Sequence, residues 1–366
     1  VTRSGLRRLL LVAGATVLCS YVSLLVVFQT SKRRTLRRLA ELGRVDTTGV
    51  GPIEYRLEGE GPTVLILPGS FGGYDQARLM GRWLTRSGFR ILAVSRPGYL
   101  RTPLEVGRSP REQADAFAVL LDSLGLDRVA VLGGSGGGPA ALELAARHPA
   151  RAWGLVLIAA LSGSKAQSAA RSPPYTGLTD ALFGEGFSTW WQLVKLERSR
   201  LRALDSPIFS PDTRRELGGT PQKLDEFFEL AWFRFPPALR EAGYLNDREQ
   251  FGAFAFDAFD AITAPTLVVH GTEDRNAPIE HGDRSASRIA GAEYLRLEGG
   301  DHYSVIAHPE AVWSRVAEFL RRHAPLPDRA ESPPAIDSGQ PTGRGHPADP
   351  PARLGLEQGE GRPPDR

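Results

Sequence analysis

Cysteine and methionine are almost missing from this 366-residue chain, which holds one of each. The single Cys19 cannot close an internal disulfide, so no disulfide framework is available and cysteine usage identifies no redox compartment. Metal-site spacings are missing too: the seven histidines are scattered, and no H-x-x-x-H or C-x-x-C pair occurs. Neither sign of charge dominates. The 45 Lys and Arg against 42 Asp and Glu leave a formal charge of +3, and arginines are dispersed outside one N-terminal cluster, which argues against a nucleic-acid partner. A dinucleotide fingerprint fails at the one place that invites it, because Pro139 replaces the third glycine of G-x-G-x-x-G read from Gly134. The lysine-bearing P-loop is likewise absent, and no repeat of 20 to 50 residues is evident.

What is present divides the chain in three. From Leu9 to Ser31 no residue is charged and Leu, Val and Ala prevail, which reaches the ~20 residues needed to cross a bilayer. The run exceeds the apolar core of an ordinary signal peptide and lacks an A-x-A site. Residues 1–46 are therefore expected to form a single-pass membrane anchor with a basic juxtamembrane segment, a cleaved signal being the alternative. Lys32, Arg33, Arg34, Arg37 and Arg38 after the run outnumber Arg3, Arg7 and Arg8 before it, and the positive-inside rule then favours a cytoplasmic catalytic domain. Residues 324–366 are dominated by proline, glycine and charge, too poor in apolar side chains to offset ordering entropy, and are expected to be disordered.

Between the ends, apolar runs at 64–67, 91–94, 129–132, 155–159, 266–269 and 292–297 read as strands. Helical patterns separate them. Ser109, Pro110 and Glu112 spell a capping box with proline at the first helical position, ahead of an apolar face of Ala114, Phe117, Ala118 and Leu121. Repeated β-α units predict a mostly parallel sheet with helices on both faces over residues 47–323. The alternation breaks at about 161–261, where strands vanish and aromatics crowd in, among them Phe183, Phe187, Trp190, Trp191, Phe227, Phe228, Trp232 and Phe235. A long insertion between sheet strands must sit at one end of the sheet, so a helical cap is expected.

Chemistry concentrates at three strand ends. Gly133-Gly134-Ser135-Gly136-Gly137 follows the apolar run 129–132 and precedes a helix-forming stretch. This satisfies G-x-S-x-G, a turn that exposes a serine hydroxyl between strand and helix. A serine needs a histidine to take its proton and an acid to orient that histidine. Carboxylates Glu273 and Asp274 follow the run 266–269, and Glu298-Gly299-Gly300-Asp301-His302 follows the last run. Catalytic groups gather at the C-terminal ends of parallel strands, so these sites are expected to converge. His308 precedes Pro309 and reads as part of the last helix start, His270 and His281 as structural or exposed, and Asp301 as a solvated loop carboxylate.

The chain resembles the α/β-hydrolase superfamily, in its cap-bearing esterase, haloperoxidase and epoxide-hydrolase-like branch. The resemblance runs from about Tyr55 to Arg322. Besides the elbow it rests on Leu67-Pro68-Gly69-Ser70-Phe71-Gly72, on Ser95-Arg96-Pro97-Gly98-Tyr99, and on His270-Gly271-Thr272-Glu273-Asp274 with Pro278. It implies Ser135 as nucleophile, Asp274 as acid, His302 as base, and the backbone N–H groups of Ser70 and Gly136 as oxyanion hole. Three departures stand out. Pro68 replaces a common histidine, so the oxyanion loop must be held another way. Ser95 replaces a common aspartate. Ser135 stands where the epoxide hydrolases and haloalkane dehalogenases carry aspartate, which argues against both activities.

The resemblance implies a serine hydrolase acting on a carboxylic ester of small to medium size and apolar character, with no metal or organic cofactor. An amidase, a C–C bond hydrolase or an acyltransferase would use the same residues. A ligand-binding or signalling protein with little turnover is the alternative from another class.

Overall fold

The computed structural model describes residues 3–164 and 178–325. Most of the C-terminal segment expected to be disordered therefore lies outside the described residues. Among the described residues one sheet of eight strands forms in the order β1-β2-β4-β3-β5-β6-β7-β8. The strands are β1 (Arg44–Thr48), β2 (Gly51–Glu58), β3 (Thr63–Leu67), β4 (Arg90–Val94), β5 (Val129–Gly134), β6 (Ala152–Ile158), β7 (Thr266–Gly271) and β8 (Glu293–Leu297). β1 and β2 pair antiparallel, β2 joins β4 antiparallel, and every pairing from β4 to β8 is parallel.

The central strands are apolar throughout because both faces are covered. In β3, Leu65 and Leu67 pack into one buried cluster and Val64 and Ile66 into the other, the period-2 alternation of a strand. The helices are α1 (Arg3–Leu42), α2 (Tyr74–Arg86), α3 (Pro110–Ser123), α4 (Gly138–Arg147), α5 (Leu178–Phe183), α6 (Phe187–Arg198) and α7 (Arg200–Ala203). They continue with α8 (Pro211–Gly219), α9 (Pro221–Trp232), α10 (Glu241–Ala253), α11 (Glu280–Arg288), α12 (Ser304–Ala307) and α13 (Pro309–His323). The first cluster joins Phe117 and Leu121 of α3 with Leu142 and Leu144 of α4, and the second joins Ala77 and Leu84 of α2 with Val312 and Val316 of α13. At the start of α3 the capping box forms, with Ser109 Oγ accepting from the Glu112 N–H and the Glu112 carboxylate accepting from the Ser109 N–H.

The first two strands were not legible as apolar runs. β1 carries Arg44, Asp46 and two threonines and is largely exposed, and the hairpin turns on Gly51 at φ +119. An edge hairpin needs apolar residues on one face only, and here Ile53 and Tyr55 of β2 supply them.

Between β6 and β7 the described residues form helices α5 to α10. Their aromatic side chains are mainly packing. Phe187, Trp190 and Phe235 surround Phe28 of α1, whose ring is fully buried, with Phe28 and Phe187 meeting edge to face at 5.3 Å. Polar contacts reinforce this seat: Gln29 Nε2 donates to the Phe183 carbonyl at 3.1 Å and Trp190 Nε1 to Ser31 Oγ at 3.2 Å. Deleting a buried phenylalanine ring costs about 3–5 kcal/mol. Phe28→Ala is accordingly expected to loosen the insertion without unfolding the sheet, read as faster hydrogen exchange in α6 with β5 and β6 amides unchanged.

Candidate active site

Ser135 leaves β5 in the left-handed region at φ +48, one of four non-glycine residues with positive φ among the described residues. A side chain held there is strained unless its surroundings enforce it. The constraint is visible on both sides: β5 ends at Gly134, a 3-10 turn spans Ser135–Gly137, and α4 begins at Gly138. Ser135 is half-buried amid buried neighbours, and its carbonyl accepts from the Leu161 N–H at 3.1 Å.

The loop after β3 passes directly over this serine. A Cβ added to Gly69 would lie 3.1 Å from Ser135 Cβ, and one added to Gly136 would lie 2.8 Å from Ser70 Oγ. Ser70 and Gly136, the expected oxyanion donors, are thus brought together beside Ser135.

Asp274 and His302 also meet. His302 Nδ1 lies 2.7 Å from Asp274 Oδ2, while Asp274 Oδ1 accepts from the Asn276 and Ala277 N–H groups at 2.8 Å each. Glu273, the competing carboxylate, is exposed. The ring nitrogen facing a carboxylate carries the proton, which leaves His302 Nε2 free to accept one. Burial pushes the Asp274 carboxyl up. The adjacent His302 ring, its hydrogen bond and the Ala277 N–H outweigh this and hold the group below the ordinary aspartate value. Among the described residues no hydrogen bond joins Ser135 Oγ to His302, a contact that often tightens only with substrate bound.

His270 is structural: its Nε2 donates to the Ala277 carbonyl at 2.7 Å, and burial first of all lowers its pKa. His281 Nδ1 accepts from the Ser162 N–H at 3.2 Å. His308 occupies the position before α13 without a capping bond from its ring, which meets Asp212 instead. Asp301 corrects the sequence reading. It is 2% exposed rather than solvated, because the insertion covers it and the Ser210 N–H binds its carboxylate at 2.6 Å, with the Tyr303 N–H at 2.8 Å. Burial accordingly raises its pKa. No group of three His, Cys, Asp or Glu side chains converges as metal ligands would among the described residues.

The residue that sequence reasoning missed is Asp247, on α10 of the insertion. It is buried, and its two oxygens accept from Arg96 Nη1 at 2.8 Å and Nη2 at 2.6 Å, from Tyr99 Oη at 2.6 Å and from Ser70 Oγ at 2.7 Å. Arg96 in turn donates Nε to the Pro68 carbonyl at 2.8 Å. This is how the loop is held without the customary histidine at position 68. It also settles the Ser70 hydroxyl: its single proton goes to Asp247, so only the Ser70 backbone N–H can serve an oxyanion. Arg240 supports the same loop from the insertion, donating to the Phe71 carbonyl at 2.7 Å and pairing with Asp75 at 2.6 Å. Ser95 has a comparable explanation, since it donates to the buried Glu54 carboxylate of β2 at 2.8 Å and accepts from the Tyr74 N–H at 3.0 Å.

Helix α10 lays one face along all of this. Tyr244 stacks on Phe71 at 4.1 Å, Asp247 binds the loop's supports, and a Cβ on Gly136 would lie 3.0 Å from the Phe251 ring. Spacings of three and four residues put these side chains in one row. On the other side Phe209 and Phe227 pack on Tyr303, next to His302.

A strained serine at a strand-helix turn and a carboxylate-bound imidazole at later strand ends, with side chains of the insertion packed next to each, make up the candidate site. The chain belongs to the alpha/beta hydrolase fold family, whose profile matches residues 62–309. The structure is similar to an alpha/beta hydrolase fold protein from Nakamurella multipartita, at 35% identity and a TM-score of 0.67, covering 76% of this chain and 99% of that one. The sequence is similar to the uncharacterized hydrolase YcgS of Bacillus subtilis (strain 168), at 27% identity over 69% of this chain and 88% of that protein. It is also similar to a 2-hydroxy-6-oxononadienedioate/2-hydroxy-6-oxononatrienedioate hydrolase of Pseudomonas putida, at 26% identity over 74% and 91% respectively.

Two outcomes follow from the electrostatics. Removing one partner of a buried ion pair typically costs about 3–5 kcal/mol, so Asp247→Ala is expected to lower the urea unfolding free energy by that order. The stability that Asp274 contributes is present above the unfolded aspartate value of about 3.9 and is lost as pH falls through its lower folded value. Asp274→Asn should therefore flatten the acid side of a stability-against-pH curve.

Proposed function

We propose that this protein is a serine hydrolase that cleaves a carboxylic ester of a small to medium apolar substrate. The observation that carries the proposal is a left-handed Ser135 at the end of β5 together with a buried, ionised Asp274 bound to His302 after β7 and β8. Ser135 Oγ attacks the carbonyl carbon as His302 Nε2 takes its proton. Asp274 stabilises the imidazolium and keeps the ring in the required tautomer. Charge developing on the carbonyl oxygen is met by the Ser70 and Gly136 N–H groups, each such donor being worth roughly 2.7–4 kcal/mol. Collapse of the tetrahedral species expels the alcohol, which takes the proton from His302. Water activated by the same histidine then releases the acid and regenerates Ser135. Helices α5 to α10 act as the cap, with the Phe251 ring set against Gly136. Helix α1, with mean hydropathy 2.3 over its most apolar window and no burial there, anchors the enzyme in a membrane.

A second reading, cleavage of a C–C bond by the same residues, has support of its own, because the Pseudomonas putida relative is named for hydrolysis of 2-hydroxy-6-oxononadienedioate and 2-hydroxy-6-oxononatrienedioate. The two are separated by assaying the full chain in nanodiscs with p-nitrophenyl esters of increasing acyl length and with a 2-hydroxy-6-oxo-dienoate. Faster turnover of the esters is expected. Ser135→Ala should lose ester turnover by ~10⁴-fold or more, together with labelling by a fluorophosphonate. A folded wild-type protein that neither labels nor turns over either substrate would remove the enzyme reading in favour of ligand binding.

A further inference from the structure

The length of α1 conflicts with the place where the insertion touches it. Among the described residues, α5 meets α1 at Tyr21, whose hydroxyl donates to the Leu182 carbonyl at 2.7 Å and whose ring lies 4.9 Å from Phe183. The contacts continue through Gln29, Ser31 and Lys32, the last donating to the Glu185 carbonyl at 2.7 Å. Only residues 9–20 of the uncharged run precede these contacts. Twelve helical residues rise roughly 18 Å, well short of the ~30 Å hydrocarbon core. A helix that spans must therefore stay in the bilayer down to about Phe28, and α5 stands beside that stretch.

The side chains at this level suit such a depth. Leu182 is 55% exposed on the outside of α5. Tyr21, Phe183 and Trp191 are partly exposed and flank the buried Phe187 and Trp190 in a chain of ring contacts next to the span, and Tyr and Trp concentrate at membrane interfaces, where one end is apolar and the other wet. Immediately beyond come Arg33 and Arg34, both exposed, cations placed for lipid headgroups.

We propose that α5 and the first turn of α6 are embedded in the interfacial layer of the bilayer beside α1, so that the helical insertion is a lipid-facing surface. The proposal rests on the reading of α1 as a membrane span. Its partner is the boundary between headgroups and acyl chains.

The test uses the full chain in phosphatidylcholine vesicles and nitroxide accessibility to oxygen against a water-soluble nickel chelate. Cys19, the single cysteine, is labelled as it stands. Leu182→Cys and Asp127→Cys are labelled in a Cys19→Ser background, Asp127 being fully exposed in the loop before β5, away from the insertion. The oxygen-to-nickel ratio at position 182 is expected to exceed that at position 127 several-fold and to fall below that at Cys19. Equal ratios at 182 and 127 with a lipid-buried Cys19 would overturn the proposal while sparing the anchor. An aqueous ratio at Cys19 would overturn the anchor and the proposal with it. Dipolar broadening between labels at 182 would put a second copy on this face and also overturn it. Quenching of Trp191 by bromolipids, lost in Trp191→Phe, gives an independent readout.

Discussion

A guanidinium and a carboxylate, Arg96 and Asp247, meet where neither touches water, and the proposed oxyanion loop hangs on that contact. Burying such a pair is favourable only when the remaining donors and acceptors are satisfied. Here Arg96 also reaches the Pro68 carbonyl, and Asp247 also receives Tyr99 and Ser70. Burial works against a charged guanidinium, yet Asp247 raises the Arg96 pKa above its ordinary value, so the guanidinium stays charged. The Tyr99 phenol, pushed well up by burial and by the same carboxylate, stays protonated and keeps donating. Three segments far apart in sequence, the β3 loop, the β4 turn and α10, are thereby fixed around one charge pair.

How much of this could be read from the chain depends on whether the signal is local. The elbow at Ser135 and the loops bearing Asp274 and His302 were legible because each needs small residues at set offsets beside an apolar strand. The meeting of Asp274 and His302 followed from strand order, since both loops sit at C-terminal strand ends. Asp247 was illegible for the opposite reason. It lies in a helix with buried polar residues Asn246 and Asp247 on its packed face, and its partner Arg96 is 151 positions away. Asp301 was misread because a Gly-Gly-Asp-His loop looks solvated until an insertion is laid across it. The β1–β2 hairpin escaped notice because an edge pair shows only half of its apolar pattern.

Two sets of contacts hold the insertion, each mixing rings with polar bonds. Toward the sheet, the charged ties of Asp247 and Arg240 stand beside the stacking of Tyr244 on Phe71. Toward α1, Phe28 is set among Phe187, Trp190 and Phe235, with Gln29 and Ser31 adding hydrogen bonds. The chain between them is short: Phe235, on the α1 side, directly follows Arg234, whose guanidinium lies over the Phe71 ring of the loop after β3. The aromatic seat of the N-terminal helix and the roof of the site are consecutive residues of one segment.

Because the counter-ion of Arg96 belongs to the insertion and not to the sheet, the two parts of the fold are not interchangeable units. A chimera whose grafted helices between β6 and β7 lacked this carboxylate would leave a buried, unanswered guanidinium behind the loop after β3. In this protein the carboxylate must travel with the helices or be replaced together with the arginine.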